Sequence, residues 1–280
     1  MGWRFTDDPE AFAERVWDLL AADPARHTVS LTVAAAARSG FRWSDDPMLF
    51  GWYDDGGEVR GAVSLTPPHE LLLAEVPEGS LDELIAGLRE QRAALPGVNG
   101  EVELVDRFVA AWAAGTPLRH RVTLRLRLFR LGTLVPPDPS PAGTARVATL
   151  DDLELAIRWL RGFEDETGVT RTNVEAGARE RLDDGRLWLW LNEAGEPASL
   201  AARTATAVGV SRVAPVYTPP EHRRRGYGAA ITAAITADAL ERDAEHVVLF
   251  TDVENPTTNA IYQQIGFRPL GDRCTVQFSD

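Results

Sequence analysis

The chain has 280 residues, of which 44% are hydrophobic and 25% charged, and its formal net charge is −13. These values are typical of a globular protein long enough for two domains, and the acidic balance opposes binding to nucleic acid or to an anionic membrane face. One cysteine, no Cys/His cluster, no apolar run of membrane-spanning length and no signal-peptide layout together predict a cytoplasmic protein without disulfide or metal.

The first half alternates helical and extended patterns. Phe12, Val16, Leu19 and Leu20 share one face of a predicted helix over residues 8–22. The run Asp54-Asp-Gly-Gly57 between two strand-like segments indicates a hairpin. Further predicted helices cover 28–38, 81–95 and 102–114, and predicted strands cover 48–53, 58–65, 71–76 and 121–131.

Four prolines in residues 135–143 predict a stiff, extended linker. We therefore predict an N-terminal domain over 1–134 and a C-terminal domain over 144–280. In the second half, predicted strands cover 145–148, 186–192, 198–206, 208–217, 247–251 and 274–278, and predicted helices cover 150–163, 173–182, 227–242 and 256–265. Both halves show two helices, three strands, a helix, a connection, a helix and a terminal strand, which indicates an internal duplication.

The stretch 213–230 carries the most specific pattern. An apolar extended run ends at Pro219-Pro220, three arginines follow, and Gly226-Tyr-Gly228 opens an alanine-rich helix. The first N–H groups of a helix lack internal partners and attract anions, and glycines keep side chains away from that backbone. The pattern predicts a diphosphate site, the alternative being an arginine-rich surface turn before an ordinary helix. A lysine-containing phosphate loop is excluded because the chain has no lysine.

A second pattern follows at 246–267. A buried strand over 247–251 precedes Asn255, which is placed to cap a helix that begins at Pro256. Tyr262 lies seven positions after Asn255, and Gly266 is placed to end the helix.

The two patterns together resemble the GCN5-related N-acetyltransferase (GNAT) superfamily. The resemblance rests on Arg-x-x-Gly-x-Gly from Arg223 to Gly228, and on Asn255, Tyr262 and Gly266-Phe267; it is specific over about residues 205–268 and topological elsewhere. It implies an α+β, three-layer fold class with two GNAT-like domains, each a mixed, mostly antiparallel sheet flanked by helices. The first half lacks the glycine motif and has Asp82 and Glu83 at the matching helix start, so the N-terminal domain is predicted to be a degenerate copy.

The resemblance also implies an acetyl-CoA-dependent N-acetyltransferase that transfers the acetyl group directly to a small amine, with acetyl-CoA as co-substrate and no metal. Tyr262 is implied to be the general acid, and the N–H of Val216 or Tyr217 to polarise the thioester carbonyl. In the alternative interpretations Asn255 only caps its helix and Tyr262 is a boundary aromatic. The implied cofactor-binding residues are Val216, Tyr217, Thr218, Arg223, Arg224, Arg225, Gly226, Tyr227, Gly228, Ala229, Asn255 and Tyr262.

The base and the acceptor are less defined. Glu164, Glu166 and Glu254 are candidate bases, with Glu166 first. Trp188 and Trp190 either wall an acceptor cleft or pack in the core. The alternative functions are acyl transfer to a non-amine or larger acceptor, as in mycothiol-synthase-like enzymes, and a non-catalytic acyl-CoA-binding module. Beyond a small-molecule acceptor we expect no nucleic acid or membrane partner, and a monomer or homodimer.

Overall fold

The computed structural model describes residues 1–91, 94–115, 117–168 and 173–279. The chain divides into two compact units. The first comprises Met1–Arg127, Asp252–Glu254 and Gly271–Asp280, and the second comprises Leu128–Thr251 and Asn255–Leu270. A segment from the end of the chain therefore groups with the first unit. The sequence-based boundaries at residues 134 and 144 stay a prediction.

The first unit has the element order β-α-α-β-β-β-α-β-α-β. Its elements are β1 (Gly2–Thr6), α1 (Pro9–Ala21), α2 (Thr28–Arg38), β2 (Leu49–Asp55), β3 (Glu58–Leu65), β4 (Leu71–Glu75), α3 (Leu81–Gln91), β5 (Gly97–Glu101), α4 (Val102–Ala113) and β6 (Arg119–Leu131), whose last residues, 128–131, belong to the second unit. Strands β1 to β4 pair antiparallel in sequence order, and β4 pairs parallel with β5. Residues 273–277 pair antiparallel with β5, so the end of the chain completes this sheet.

The second unit repeats this order. Its elements are β7 (Thr144–Val147), α5 (Leu153–Thr167), α6 (Val174–Asp183), β8 (Leu187–Leu191), β9 (Pro197–Arg203), β10 (Val210–Tyr217), α7 (Tyr227–Arg242), β11 (His246–Asp252), α8 (Pro256–Gln264) and β12 (Phe267–Ser279), whose residues 271–279 belong to the first unit. Strands β7 to β10 pair antiparallel in sequence order, and β10 pairs parallel with β11. Short 3₁₀ turns precede α5 and α7.

The core of the second unit lies on both faces of its sheet. On β8, Leu187 and Leu189 pack in a cluster with residues of α5 and α6, whereas Trp190 packs in a cluster with residues of α7 and α8. Alternate strand residues therefore face opposite helical layers, as the pleat of a strand dictates. The predicted α+β, three-layer class with mixed, mostly antiparallel sheets is confirmed.

Two strands escaped the sequence analysis. Strand β1 is only five residues long, and β5 has the sequence Gly-Val-Asn-Gly-Glu, which looks like a turn. The structure gives the reason for its glycines: a Cβ at Gly97 would lie 2.1 Å from the carbonyl oxygen of Val276, and one at Gly100 would lie 3.2 Å from the Cβ of Leu73. These glycines permit close strand packing. The predicted helix over 81–95 is described as far as Gln91, and residues 92 and 93 lie outside the described residues.

Candidate active site

Strands β10 and β11 lie side by side only over their first halves. Their parallel register joins Val210–Val213 to His246–Leu249. Strand β10 then shifts its register against β9 between Val213 and Val216, and Pro215 in this interval has no N–H for a ladder. Within the described residues, Val216 and Tyr217 pair with β9 but not with β11. The end of β10 therefore offers backbone groups to a ligand lying between the two strands.

A glycine precedes helix α7. Gly226 is the N-cap residue, with φ 82°, and no capping side chain satisfies the first turn in the described structure. A Cβ added at Gly228 would meet one described atom within 4 Å, the Oγ1 of Thr218 at 3.4 Å. The first N–H groups of this 16-residue helix lie at the positive end of the helix dipole, and Pro141 lies beside the N-cap, with its Cγ 3.6 Å from the place of a Cβ at Gly226. Such a helix start suits a diphosphate.

The three arginines before this helix differ in their surroundings. All are exposed, and Arg224 adopts a left-handed backbone conformation with φ 60°. Arg223 donates from Nε to the carbonyl oxygen of Thr218 at 2.9 Å, and from Nη2 to both carboxylate oxygens of Glu166 at 2.6 and 2.5 Å. Arg223 thus already has an anionic partner. The role of Arg223, Arg224 and Arg225 as diphosphate ligands stays a prediction.

A buried serine fixes the beginning of the loop. The Oγ of Ser199 on β9 donates to the carbonyl oxygen of Tyr217 at 3.1 Å and hydrogen-bonds the Oγ1 of Thr218 at 2.8 Å. Its side chain is fully buried, so these bonds also satisfy its hydroxyl. The sequence analysis missed Ser199. The signal was an isolated polar residue among the alanines and leucine of a buried strand.

Helix α5 brings Glu166 to the end of β10. The hydroxyl of Tyr217 donates to Oε1 of Glu166 at 3.3 Å, and the Tyr217 and Trp159 ring centroids are 6.5 Å apart. A Cβ at Gly162 would lie 2.7 Å from the Tyr217 hydroxyl oxygen, so this glycine makes room for the phenol. Burial, followed by the nearby charge of Glu166, raises the pKa of Tyr217. Two sequence-predicted residues, Glu166 and Tyr217, are therefore in direct contact.

Tyr262 lies in the apolar layer beneath α7. Tyr262 is buried in the same hydrophobic cluster as Tyr227, and Val216 and Ala229 pack against this cluster. The centroid of the Tyr262 ring is 6.4 Å from that of Phe129 and 6.3 Å from that of Phe267. Burial raises the pKa of Tyr262 to about 12. The phenol is therefore neutral, and able to donate a hydrogen bond, across the physiological range.

Asn255 caps helix α8 as the sequence indicates. Its Oδ1 accepts a hydrogen bond from the N–H of Thr258 at 3.1 Å, with Pro256 as the first helical residue. At the other end of the helix Gly266 has φ 105°, the left-handed conformation expected of a residue that ends a helix. The capping interpretation of Asn255 is confirmed, and its contact with the cofactor stays a prediction.

The remaining candidates lie elsewhere. Glu164 is two positions from both Gly162 and Glu166, which puts it on the opposite side of α5, and Glu254 groups with the first unit. Trp188 and Trp190 belong to the cluster around α7, which is the core-packing interpretation, rather than to the α5 side where Tyr217 and Glu166 meet.

The described residues hold no group of three or more His, Cys, Asp or Glu side chains arranged to bind a metal ion. In the same part of the chain, no helix combines the length and the apolar character needed to cross a membrane.

Comparisons with known proteins bear on the fold and on one segment. Residues 192–276 match the family model described as FR47-like protein. A search of curated proteins found no match. Similar solved structures include a GNAT-family acetyltransferase from Colwellia psychrerythraea, with 11% identity over 99% of each chain and a TM-score of 0.61. This is the GNAT fold.

Other GNAT structures agree over most of the chain. A GCN5-related N-acetyltransferase from Kribbella flavida is 24% identical over 91% of this chain and 96% of its own, with a TM-score of 0.56. A tandem GNAT protein from the clavulanic acid biosynthesis pathway is 15% identical over 99% of this chain and 98% of its own, with a TM-score of 0.59. The resemblance inferred from the sequence is confirmed, and the GNAT fold supports acyl transfer in general.

The FR47-like match covers only part of the candidate site. Residues 192–276 include every predicted cofactor-binding residue and Tyr262, but not Glu166 on α5. The match gives no residue roles, so both the cofactor-binding residues and Glu166 stay predictions.

Proposed function

We propose that this chain is an acetyl-CoA-dependent N-acetyltransferase that transfers the acetyl group directly to a small amine. The observation that carries the proposal is the start of α7, where backbone N–H groups lack a capping side chain beside the divergence of β10 from β11. A glycine N-cap, an open Gly228 and adjacent arginines fit the size and charge of a CoA diphosphate. The GNAT fold supports this assignment.

The chain contributes binding and orientation. When bound, acetyl-CoA supplies a thioester whose carbonyl carbon the amine nitrogen attacks, with loss of the thiol. The first turn of α7 holds the diphosphate, and the N–H of Val216 or Tyr217 at the end of β10 donates to the thioester oxygen. A donor aimed at an oxygen that gains negative charge lowers the barrier, because it stabilises the transition state more than the ground state.

Tyr262 supplies a hydrogen bond to the departing sulfur. Its pKa is about 12, whereas a free thiol has a pKa near 8.5, so full proton transfer is uphill by about 3.5 units, or about 5 kcal/mol. We therefore assign Tyr262 the part of a neutral donor that stays protonated, while solvent supplies the proton that the thiolate finally takes up.

Glu166 is our candidate to receive the proton that the amine loses. Its place on α5, in contact with Tyr217 at the end of β10, puts a carboxylate beside the proposed reaction site. Arg223 holds both of its oxygens, so the role requires that this ion pair opens.

We further propose that only the second unit binds CoA. In the first unit, β4 shifts its register against β3, and the first residue paired after the shift is Glu75. In the second unit, the corresponding residue of β10 is Val216. A hydrogen bond from His27, whose Nε2 is 3.4 Å from Oε1 of Glu75, lowers the pKa of Glu75 and keeps it charged. The first turn of α3 adds Asp82 and Glu83. Arg26 partly offsets Glu75, since its Nε lies 3.9 Å from Oε1, so Asp82 and Glu83 are the charges that oppose a diphosphate.

The test is a titration with acetyl-CoA. We expect one site per chain by calorimetry and a raised melting temperature, because the ligand stabilises the folded state. Gly228→Val should abolish both effects while the protein stays folded, since among the described residues a Cβ there meets only Thr218. Gly271→Val is the matched control, because no described atom lies within 4 Å of a Cβ at that position.

Turnover defines the acceptor. The protein and acetyl-CoA are incubated with pooled polyamines, amino acids, aminoglycosides and peptides, and the products are read by mass spectrometry. An acetylated amine supports the proposal. Acetylated hydroxyls or thiols would replace it with the non-amine alternative, and CoA binding without any product would favour a non-catalytic acyl-CoA-binding module. A Gly228→Val variant that binds CoA as tightly as the wild type would refute the diphosphate site.

A further inference from the structure

Arg223 pairs with Glu166 and lies in the loop next to the proposed diphosphate site. It belongs to the loop that leads into α7, three residues before the glycine N-cap, where we propose that the diphosphate binds. In the structure its Nη2 donates instead to both carboxylate oxygens of Glu166 on α5. Its Nε donates to the carbonyl oxygen of Thr218. One guanidinium cannot give the same N–H groups to a carboxylate and to a diphosphate.

Glu166 has a defined environment apart from this arginine. Its carboxylate accepts a hydrogen bond from Tyr217, the last residue of β10, and the Tyr217 ring lies over Gly162 near Trp159. The carboxylate therefore has a polar neighbour that remains when Arg223 leaves. Glu166 and Arg223 each have 42% of their side-chain surface exposed, so the ion pair can open into solvent without burying an unpaired charge.

We propose that Arg223 is shared between Glu166 and the CoA diphosphate, and that CoA binding transfers it from the first to the second. This inference rests on the proposed function, and it concerns the order of events at that site. Without CoA, the ion pair neutralises Glu166. With CoA bound, Glu166 is left with an uncompensated negative charge beside Tyr217.

The exchange has a chemical consequence for the acceptor. A carboxylate freed from its cation attracts an ammonium group, whereas one held by a guanidinium does so poorly. The site therefore favours a cationic amine only after the acyl donor has bound. This arrangement couples the two substrates through one side chain, and the coupling acts equally in both directions.

The test is a double-mutant cycle on the binding of CoA itself, measured by calorimetry. If Glu166 competes with the diphosphate for Arg223, Glu166→Gln should bind CoA about 1.4- to fivefold more tightly than the wild type, since an exposed ion pair is worth about 0.2–1 kcal/mol. The gain should vanish when Arg223→Gln is also present, and it should shrink at high salt because the competing interactions are screened.

Glu221→Gln is the matched control for charge. Glu221 is an exposed acid in the same loop, so its removal reports the general effect of one fewer negative charge near the diphosphate. The inference requires that Glu166→Gln exceeds Glu221→Gln. Weaker CoA binding by Glu166→Gln would mean that Glu166 orients Arg223 for the diphosphate, which overturns the inference.

An equal gain with and without Arg223 would overturn the inference as well. These outcomes leave the proposed function intact, because they compare variants that bind CoA. Failure of the wild type to bind CoA would remove the proposed function, and this inference with it. Melting temperatures of the five proteins, the Glu221→Gln control included, verify that each variant is folded.

Discussion

At the scale of single residues, the protonation of Tyr262 decides what it can do. A phenol near pKa 10 would begin to lose its proton in mildly alkaline solution, but burial raises the pKa of Tyr262 to about 12. A donor with a raised pKa acts fully below that pKa and is lost only as the pH rises through it. Tyr262 is therefore a hydrogen-bond donor at every pH at which the protein is expected to work.

This gives a prediction for turnover and its pH dependence. We expect Tyr262→Phe to lower kcat by about 10²–10⁴-fold, the usual worth of a positioned proton donor, and to leave the Kd for CoA nearly unchanged. The wild-type kcat should show no fall between about pH 8 and 10 that is missing in the variant. Tyr53→Phe, in the first unit, controls for the loss of a hydroxyl. A descending limb below pH 10 that Tyr262→Phe removes would contradict the assigned pKa.

At the scale of elements, the helix starts were predictable and the strand contacts were not. Helix α7 begins at Tyr227 and α8 at Pro256, as the glycine and the Asn-Pro pair indicate, because these signals act through local backbone geometry. Strand β5 was missed because its glycines are needed for close packing against neighbouring strands, and those strands are distant in sequence. The contact of Arg223 with Glu166 joins residues 57 positions apart, and no local pattern reports it.

The candidate site also has parts that the sequence predicted and parts that it did not. The loop from Thr218 to Gly228 could be identified from its residues, since phosphate binding by a helix start needs glycines in a short run. Ser199, which fixes that loop from the neighbouring strand, could not, because its role depends on the antiparallel register between β9 and β10. Sequence patterns thus predicted a candidate binding loop, and the structure was needed to find what holds this loop in place.

Two variants of Asn255 distinguish a residue that only caps α8 from one that also contacts CoA. Asn255→Ala removes the cap and should lower the free energy of unfolding by about 1 kcal/mol. Asn255→Ser keeps a capping oxygen and should restore most of that stability. If the side-chain amide also contacts CoA, both variants should weaken CoA binding. Wild-type CoA affinity in Asn255→Ser would reduce Asn255 to a capping residue.

At the scale of the whole molecule, the first unit depends on the last strand of the chain. Residues 273–277 pair with β5, and Cys274 and Val276 are buried in the core cluster of this unit. A fragment ending at the predicted linker therefore lacks one strand and part of a core. The proline-rich segment 135–143 is a boundary in composition, but the compact units interleave along the chain.

Deletion of residues 271–280 should therefore unfold the first unit selectively. We expect amide hydrogen exchange to lose protection in β4 and β5, while β8 and β9 keep theirs. Val276→Ala is the milder variant, with an expected cost of about 2 kcal/mol for lost apolar burial and the cavity that remains. Gln277→Ala, exposed on the same strand, is its control. Undiminished protection in β5 after the deletion would show that the strand is dispensable.

The position of this strand also governs the order in which the protein can fold as it is made. On the ribosome, residues 1–127 emerge first, but the strand that pairs with β5 follows only after residues 128–270 have been translated. Throughout that interval the nascent chain has an unpaired strand edge and an incomplete apolar core, which are features that favour aggregation. In the usual order of events, an N-terminal domain folds before the next domain is synthesised. The first unit of this chain cannot follow that order, and we expect the nascent chain to depend on chaperones.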